Sequence, residues 1–339
     1  MSRKMPFLVL LIAAMSPAVH AQECYDWLSK DALLPGDSDQ YSPVSLAFDE
    51  KVNKMALLTI NWPDNQALWY YDGDRWEKAW EGIPQSNFPW ILPVIIYYDH
   101  DLEALVCISY VSMPASGSGF DAFRYDSTEG FVDLVRIGPL CPIIDTNLMA
   151  SAYDPVRKRA VLLGISFCVA KRQVDTDIFL EFDGQNFYEI PLPPGLGLFE
   201  GVAGYNPDTR KVVFFGLAGY NDVQASTWEY DGSTWIQIKT DTQPSFAPYS
   251  HGLTGLAYVP QYHGLLTVDY TESSFKTWLY DSTWHELEPE HSPENAYWPV
   301  LAANPENNKI LFYDIDDSLP DYNATWEFRT YHCRPVSRP

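Results

Sequence analysis

A carboxylate and an imidazole occupy matching places in two neighbouring stretches of this sequence. Glu200 lies in LFEG and His251 lies in YSHGL, and each precedes an apolar segment. Two such groups that meet at one site can act as a general acid and a general base. Glu200 and His251 are therefore the candidate catalytic pair. The alternative, in which His251 is a satisfied structural group, stays open, and Asp145 is a third candidate that the pattern places between a second and a third strand.

Aromatic side chains precede the same kind of apolar segment along the whole chain. A sugar ring stacks well on an aromatic face, because its apolar CH groups meet the ring while its hydroxyls stay hydrogen-bonded elsewhere. The alternative is that these aromatics fill a channel mouth or pack one unit against the next. The candidate ligand-binding residues are Tyr41, Trp90, Phe199, Tyr249, Tyr297 and Trp298.

Two aspartates occupy a position where other copies of the same segment have a small residue. Asp269 and Asp314 correspond to Gly164 and Gly216. Carboxylate oxygens are the donors that calcium prefers, so the pair is a candidate metal site. The loop YDIDDSLPD lacks the spacing of an EF-hand, and an acidic solvated loop is the other interpretation. Apart from calcium, no cofactor is expected.

These candidate residues must be positioned by a repeat that fills the chain. One segment pairs two apolar stretches around a turn, as in ASAYDPVRKRAVLLGI, and a second does so around Asp-Gly, as in TWEYDGSTWIQI. Asp-Pro and Asp-Gly favour tight turns between antiparallel strands. The pair recurs six times, with copies beginning near residues 41, 91, 146, 198, 251 and 296. Each copy therefore predicts a four-stranded antiparallel meander.

Such a meander is apolar on both faces and cannot be stable alone. VLL at 161 to 163 and VVFF at 212 to 215 are continuous apolar runs rather than alternating ones. Stacking the sheets face to face around an axis buries both faces, which is the propeller solution. The fold class is therefore all-β, a six-bladed β-propeller of four-stranded blades. Tryptophans recur on the third and fourth strands and are predicted to pack between blades.

The last copy has no fourth strand after TWEFRTYHC, but the segment ECYDWLSK near the N-terminus can supply one. This segment is predicted to complete the sixth blade and close the ring. Cys24 and Cys333 would then lie on neighbouring strands and form a disulfide bond. Of the other cysteines, Cys107 is expected to be buried, and a second proposed pairing joins Cys141 to Cys168.

Residues 1–21 have the layout of a secretory signal peptide, with Arg3 and Lys4 before a short apolar run. The run is too short to span a membrane, so residues 22–339 are expected to form one exported domain, periplasmic or extracellular. The net charge of −23 makes nucleic acid and anionic membrane improbable partners, because it would repel phosphate. A monomer is expected.

The paired segments AYDPVRKRAVLLG and TWEYDGSTW resemble kelch-type repeats of exported bacterial proteins, over about residues 41–329. Kelch-type propellers include a copper oxidase and a sialic acid mutarotase, but none of their catalytic positions can be matched here. The resemblance thus implies the fold and leaves function open. The first hypothesis is a module that binds a carbohydrate or protein partner through its upper loops. The alternatives are a mutarotase-like or oxidase-like enzyme at the channel mouth and a structural envelope component.

Overall fold

The computed structural model of the chain is a ring of six four-stranded antiparallel sheets. Its described residues are 23–30, 32, 34, 41–61, 65–82, 90–113, 117–136, 143–168, 173–196, 200–217, 225–245, 255–271, 274–293, 299–305, 307–315 and 323–332. None of these residues belongs to a helix that is long and apolar enough to cross a membrane.

Each blade runs from an innermost strand at the channel to an outermost strand. The strands of blades 1 to 3, preceded by β1, are β1 (Glu23–Ser29), β2 (Tyr41–Asp49), β3 (Lys54–Asn61), β4 (Asn65–Tyr71), β5 (Trp76–Gly82), β6 (Trp90–Asp99), β7 (Ala104–Met113), β8 (Gly117–Asp126), β9 (Gly130–Arg136), β10 (Ile143–Asp154), β11 (Arg159–Cys168), β12 (Gln173–Phe182) and β13 (Phe187–Glu189). The strands of blades 4 to 6 are β14 (Glu200–Asn206), β15 (Lys211–Leu217), β16 (Ser226–Tyr230), β17 (Trp235–Ile238), β18 (Ala257–Val259), β19 (Gly264–Thr271), β20 (Ser274–Tyr280), β21 (Trp284–Leu287), β22 (Val300–Asn304), β23 (Lys309–Ile315) and β24 (Asn323–His332).

The ring closes as the sequence predicts. The innermost strands contact one another in order around the channel, and β22 of blade 6 contacts β2 of blade 1. Strand β1 pairs antiparallel with β24, so the sixth sheet has the order β1-β24-β23-β22. The N-terminal strand is therefore the outermost strand of blade 6, and the six-bladed all-β prediction is confirmed.

A hydrogen bond to one polar side chain recurs in the turns of the innermost hairpins. In four blades the last residue of the first strand accepts a hydrogen bond from the backbone N–H two residues later, at 2.9 to 3.0 Å; these residues are Asp49, Asp99, Asp154 and Asn206. Such side chains satisfy turn amides locally. The residue before each second strand has a φ of 48 to 56°, at Asn53, Glu103, Lys158, Arg210, His263 and Asn308.

The outer hairpins are built on aspartate in the same way. Asp72, Asp126, Asp183, Asp231 and Asp281 each accept a backbone N–H from the residue two positions later. The predicted Asp-Gly turns are therefore present. They direct each outermost strand back along the third strand, which places its first aromatic residue against the neighbouring blade.

A tryptophan to threonine hydrogen bond links neighbouring blades at three of the six interfaces. The indole N–H of the outermost strand donates to a threonine on the third strand of the preceding blade, in the pairs Trp76–Thr325, Trp284–Thr227 and Trp27–Thr277, at 2.8 to 2.9 Å. The N-terminal Trp27 thus takes the same role as the tryptophans of blades 1 and 5. This bond identifies β1 as a full member of the repeat.

The other three interfaces between blades lack threonine at this position, and the aromatic residue of the outermost strand differs with it. Where the preceding blade offers an apolar residue instead of threonine, the outermost strand carries phenylalanine, as with Phe131 beside Leu68 and Phe187 beside Ala122. Trp235 is the exception: it packs edge-on against Phe179, and its buried indole N–H has no hydrogen-bond partner among the described residues. A buried donor without an acceptor is destabilising.

Ion pairs join the turns of neighbouring blades on the lower face, where the innermost strands end. Lys158 of blade 3 binds Asp101 of blade 2 at 2.6 Å, and His263 of blade 5 contacts Asp208 of blade 4 at 2.9 Å. These side chains are exposed, so each pair contributes little stability. The upper face is the opposite end of the ring, where the innermost strands begin.

The structure describes two of the cysteines for which the sequence makes predictions, Cys107 and Cys24. Cys107 is a free, fully buried thiol, and burial raises its pKa to about 12, so it is unreactive. Cys24 is disulfide-bonded. Cys333 lies outside the described residues, as does Cys141, so the Cys24–Cys333 pairing stays a prediction. In the register Cys24 is opposite Tyr331, which precedes Cys333 by two residues in the sequence.

Candidate functional site

The candidate site is the upper rim of the channel, defined here by the first residues of three innermost strands. Tyr41 begins β2, Trp90 begins β6 and Glu200 begins β14. Because the innermost strands line one channel and run in the same direction, these residues share one end of the ring. A carboxylate-bearing residue and two aromatic residues are therefore placed at the same mouth by three different blades.

Three of the innermost strands contain backbone irregularities between their upper ends and their middles. Registers shift between Pro43 and Ser45 in β2, between Pro93 and Ile95 in β6, and between Leu148 and Ala150 in β10. A bulge redirects a strand and is common beside functional sites. The two prolines are the sequence signal for these shifts, since proline cannot donate to a ladder and is found at bulges.

Below the rim, the second strands carry a buried ring of equivalent positions. Its members are Thr59, Ser109, Gly164, Gly216, Asp269 and Asp314, all of them buried. Thr59 accepts a hydrogen bond from the indole of Trp69 at 3.0 Å. The predicted equivalence of Asp269 and Asp314 with the two glycines is therefore reproduced by their places on β19 and β23.

Asp269 fastens the segment that leads into blade 5. Its Oδ2 accepts hydrogen bonds from the backbone N–H of Ser245 at 3.0 Å and from the Ser245 hydroxyl at 2.7 Å. Burial raises the pKa of Asp269, and the Ser245 hydrogen bonds oppose that shift. Its Oδ1 is buried without a hydrogen-bond partner among the described residues. Ser245 lies four and six residues before the predicted Tyr249 and His251, both of which lie outside the described residues.

Some of the predicted site residues belong to the described part of the structure, and others do not. Phe199, Tyr249, His251, Tyr297 and Trp298 lie outside the described residues. Asp314 is fully buried on β23 and is opposite Ala324 of β24. Asp269 and Asp314 thus occupy adjacent blades, as expected, while their predicted role as calcium ligands stays a prediction.

The place that the sequence pattern assigns to Asp145 is wrong, while its candidacy as a catalytic residue stays a prediction. Asp145 lies on β10, the innermost strand of blade 3, opposite Phe167 of β11, and not between a second and a third strand. The first strand of this blade extends for 12 residues, which is longer than its equivalents, so it includes polar residues that the sequence pattern assigns to a loop.

One cluster of potential metal ligands was missed by sequence reasoning. Asp26, Glu290 and His291 offer ligand atoms within 4.8 Å of one another, and they form the only such group among the residues that the structure describes. They lie at the outer edge of blade 6 and not at the rim. Residues 265 positions apart in the chain leave no local signal in a sequence pattern.

Comparisons with known proteins identify the fold. No family model matches the chain, and no curated protein matches it. A protein of unknown function from Dyadobacter fermentans superposes with a TM-score of 0.58 at 13% identity, over 90% of this chain and 98% of the other. A putative oxidoreductase (glucose dehydrogenase) from Thermus thermophilus gives 0.56 at 11% identity, over 90% and 100%. A gluconolactonase from Xanthomonas campestris gives 0.52 at 12% identity, over 91% and 90%.

Proposed function

We propose that this protein is an exported enzyme that acts on a sugar or a sugar derivative at the upper rim of its channel. The observation that carries the proposal is the convergence of Glu200, Trp90 and Tyr41 on one rim from three different blades. In this proposal Glu200 supplies a carboxylate for proton transfer, and Trp90 and Tyr41 supply aromatic rings for stacking. Two propellers of similar fold are named for sugar chemistry, a glucose dehydrogenase and a gluconolactonase, which agrees with this class of substrate.

Glu200 is the proposed general base and His251 its proposed partner. Proton transfer by such a pair is efficient when the groups titrate near the working pH. Asp269 is a proposed positioning residue, because it holds Ser245 at 2.7 and 3.0 Å, six residues before His251 in the sequence. The ring position of Asp269 and Asp314 is also where calcium is proposed to bind if the enzyme needs a cation.

A binding module without turnover is the second candidate, favoured by the same aromatic residues on the rim.

A kelch-type ancestry is part of either proposal, since the repeat carries the paired hairpins of that class. Export to the periplasm or the cell exterior is proposed from the signal-like N-terminus. A disulfide-bonded Cys24 agrees with an oxidising compartment.

The experiment is a turnover screen of the purified protein on aldoses, sugar lactones and sialic acids, with and without calcium, followed by ligand binding on any substrate found. The enzyme proposal expects Trp90→Ala to weaken binding, and His251→Ala to abolish turnover while the ligand still binds. Binding with no turnover would instead support the binding module. If neither variant changes binding or turnover, the rim is not the site.

A further inference from the structure

The outermost strand of blade 6 differs from the other five in how it is attached. In blades 1 to 5 a tight Asp-turn hairpin joins the third and fourth strands, whereas β1 reaches β24 only by pairing with it. The chain that leads from blade 5 to blade 6 runs beside β1: the backbone N–H of Trp27 donates to the carbonyl of His291 at 3.4 Å. This connection therefore covers the outer edge of the strand that closes the ring.

Three side chains converge at this contact. The backbone N–H of His291 donates to Asp26 Oδ1 at 2.6 Å, and His291 Nδ1 lies 3.0 Å from Asp26 Oδ2. Glu290 completes the group, with ligand atoms of all three residues within 4.8 Å of one another. Asp26 is buried, while Glu290 and His291 are exposed, so the first is fixed and the other two can adjust.

The distance between Asp26 and His291 suits a tetrahedral divalent cation, and Glu290, whose ligand atom lies within 4.8 Å of the other two, is exposed and can move closer. Zinc binds imidazole nitrogen and carboxylate oxygen at about 2.0 to 2.2 Å, which places two ligand atoms about 3.3 Å apart at a tetrahedral angle. Asp26 Oδ2 and His291 Nδ1 are already 3.0 Å apart. An imidazole with two carboxylates is a donor set that favours zinc over calcium, which takes only oxygen.

The negative charge of the Asp26 and Glu290 carboxylates also favours the binding of a cation. Among the described residues, no lysine or arginine forms an ion pair with Asp26 or Glu290; the recorded partner of Asp26 is His291. The hydroxyl of Tyr331 donates to Glu290 Oε2 at 3.2 Å, which orients that carboxylate without neutralising it. The carboxylates of Asp26 and Glu290 therefore share one imidazole, that of His291, at the outer edge of β1.

We propose that Asp26, Glu290 and His291 bind a zinc ion that fastens the ring-closing strand β1 to the connection between blades 5 and 6. Tyr331 orients Glu290 from outside the ligand set. Water fills the fourth position, since three protein ligands are supplied. The ion adds a cross-link between the N-terminal strand and the rest of the ring, and it lies on the outer edge, away from the rim proposed for sugar chemistry.

The test is isothermal titration of chelator-treated, tag-free full-length protein with zinc chloride, alongside thermal unfolding with and without zinc. One ion per chain and a rise in the unfolding temperature are expected. Glu290→Gln and His291→Ala are expected to weaken zinc binding by about 100-fold or more, and Tyr331→Phe by about 10-fold, since even outer contacts to a ligand cost that much.

His263→Ala is the matched control. His263 is also an exposed histidine 2.9 Å from an aspartate, but the pair has no third ligand of this kind among the described residues. Zinc binding should be unchanged in this variant. Absence of zinc binding by the unmodified protein would overturn the proposal, as would equal affinity in the unmodified protein, Glu290→Gln and His291→Ala, which would place the ion elsewhere.

Discussion

Replacing Trp27 with phenylalanine tests the closure of the ring by its N-terminal strand. Trp27 is 1% exposed, and its indole N–H donates to Thr277 at 2.9 Å. Phenylalanine removes this bond and leaves the buried threonine hydroxyl without its donor, at a cost of about 1 to 3 kcal/mol. The smaller ring also leaves a cavity that costs about 1 kcal/mol. The expected loss in the free energy of unfolding is therefore about 2 to 4 kcal/mol.

Trp235→Phe is the matched control. Its indole N–H is buried without a partner among the described residues, so phenylalanine removes an unsatisfied donor together with some packing. The two effects oppose each other, and the expected change is within about 1 kcal/mol of zero. Both variants are measured by guanidinium unfolding followed by far-UV circular dichroism.

A double-mutant cycle separates the hydrogen bond from the packing. Thr277→Val alone leaves the Trp27 indole unsatisfied, whereas Trp27→Phe with Thr277→Val recreates the apolar pairing of Phe131 with Leu68. The double variant should lose about 1 to 2 kcal/mol less than the sum of the single variants. The reasoning is refuted if Trp27→Phe costs no more than Trp235→Phe, or if the single losses simply add.

Two further predictions concern the same blade. Burial raises the pKa of Glu327, but hydrogen bonds from Arg329 and Lys309 outweigh it and hold the pKa below its usual value of 4.5; the stability that this gives is present above about pH 4.5 and is lost as the pH falls. Glu327→Gln should flatten the decline in stability below that pH, and an unchanged acid profile would refute the assignment. Non-reducing peptide mapping should find Cys24 joined to Cys333, and reduction should cost about 6 kcal/mol by the chain-entropy model; a free thiol at either residue would exclude the bond.

The fold could be predicted because its signals are local. The Asp-Pro and Asp-Gly turns at Asp154 and Asp231 recur at a regular spacing, and each sets a hairpin by hydrogen bonds to residues two positions away. Trp27 could be assigned to the sixth blade for another reason: the last copy lacks a fourth strand, and ECYDWLSK offers a segment with a tryptophan. Trp27 directly follows Asp26, whereas the other outer tryptophans lie three or four residues after a turn aspartate. Apolar runs on the second strands indicated burial on both faces.

The site was less predictable because its contacts span the chain. The partner of Asp269 is Ser245, in the segment that precedes blade 5, and nothing in either local sequence indicates the pairing. Asp26 and His291 meet only because the ring closes. Asp145 was misplaced because the bulged strand β10 is longer than its counterparts, and polar residues at a channel mouth look like loop residues in a sequence.

The most direct test of the proposed function is the turnover number of Glu200→Gln on a sugar substrate found by the screen, compared with Glu189→Gln. Glu189 is an exposed glutamate on the outermost strand β13, so it controls for the loss of one negative charge. We predict that Glu200→Gln lowers kcat by about 100-fold or more while the ligand still binds, and that Glu189→Gln leaves kcat unchanged. Equal turnover in the two variants would contradict a catalytic role for the rim carboxylate.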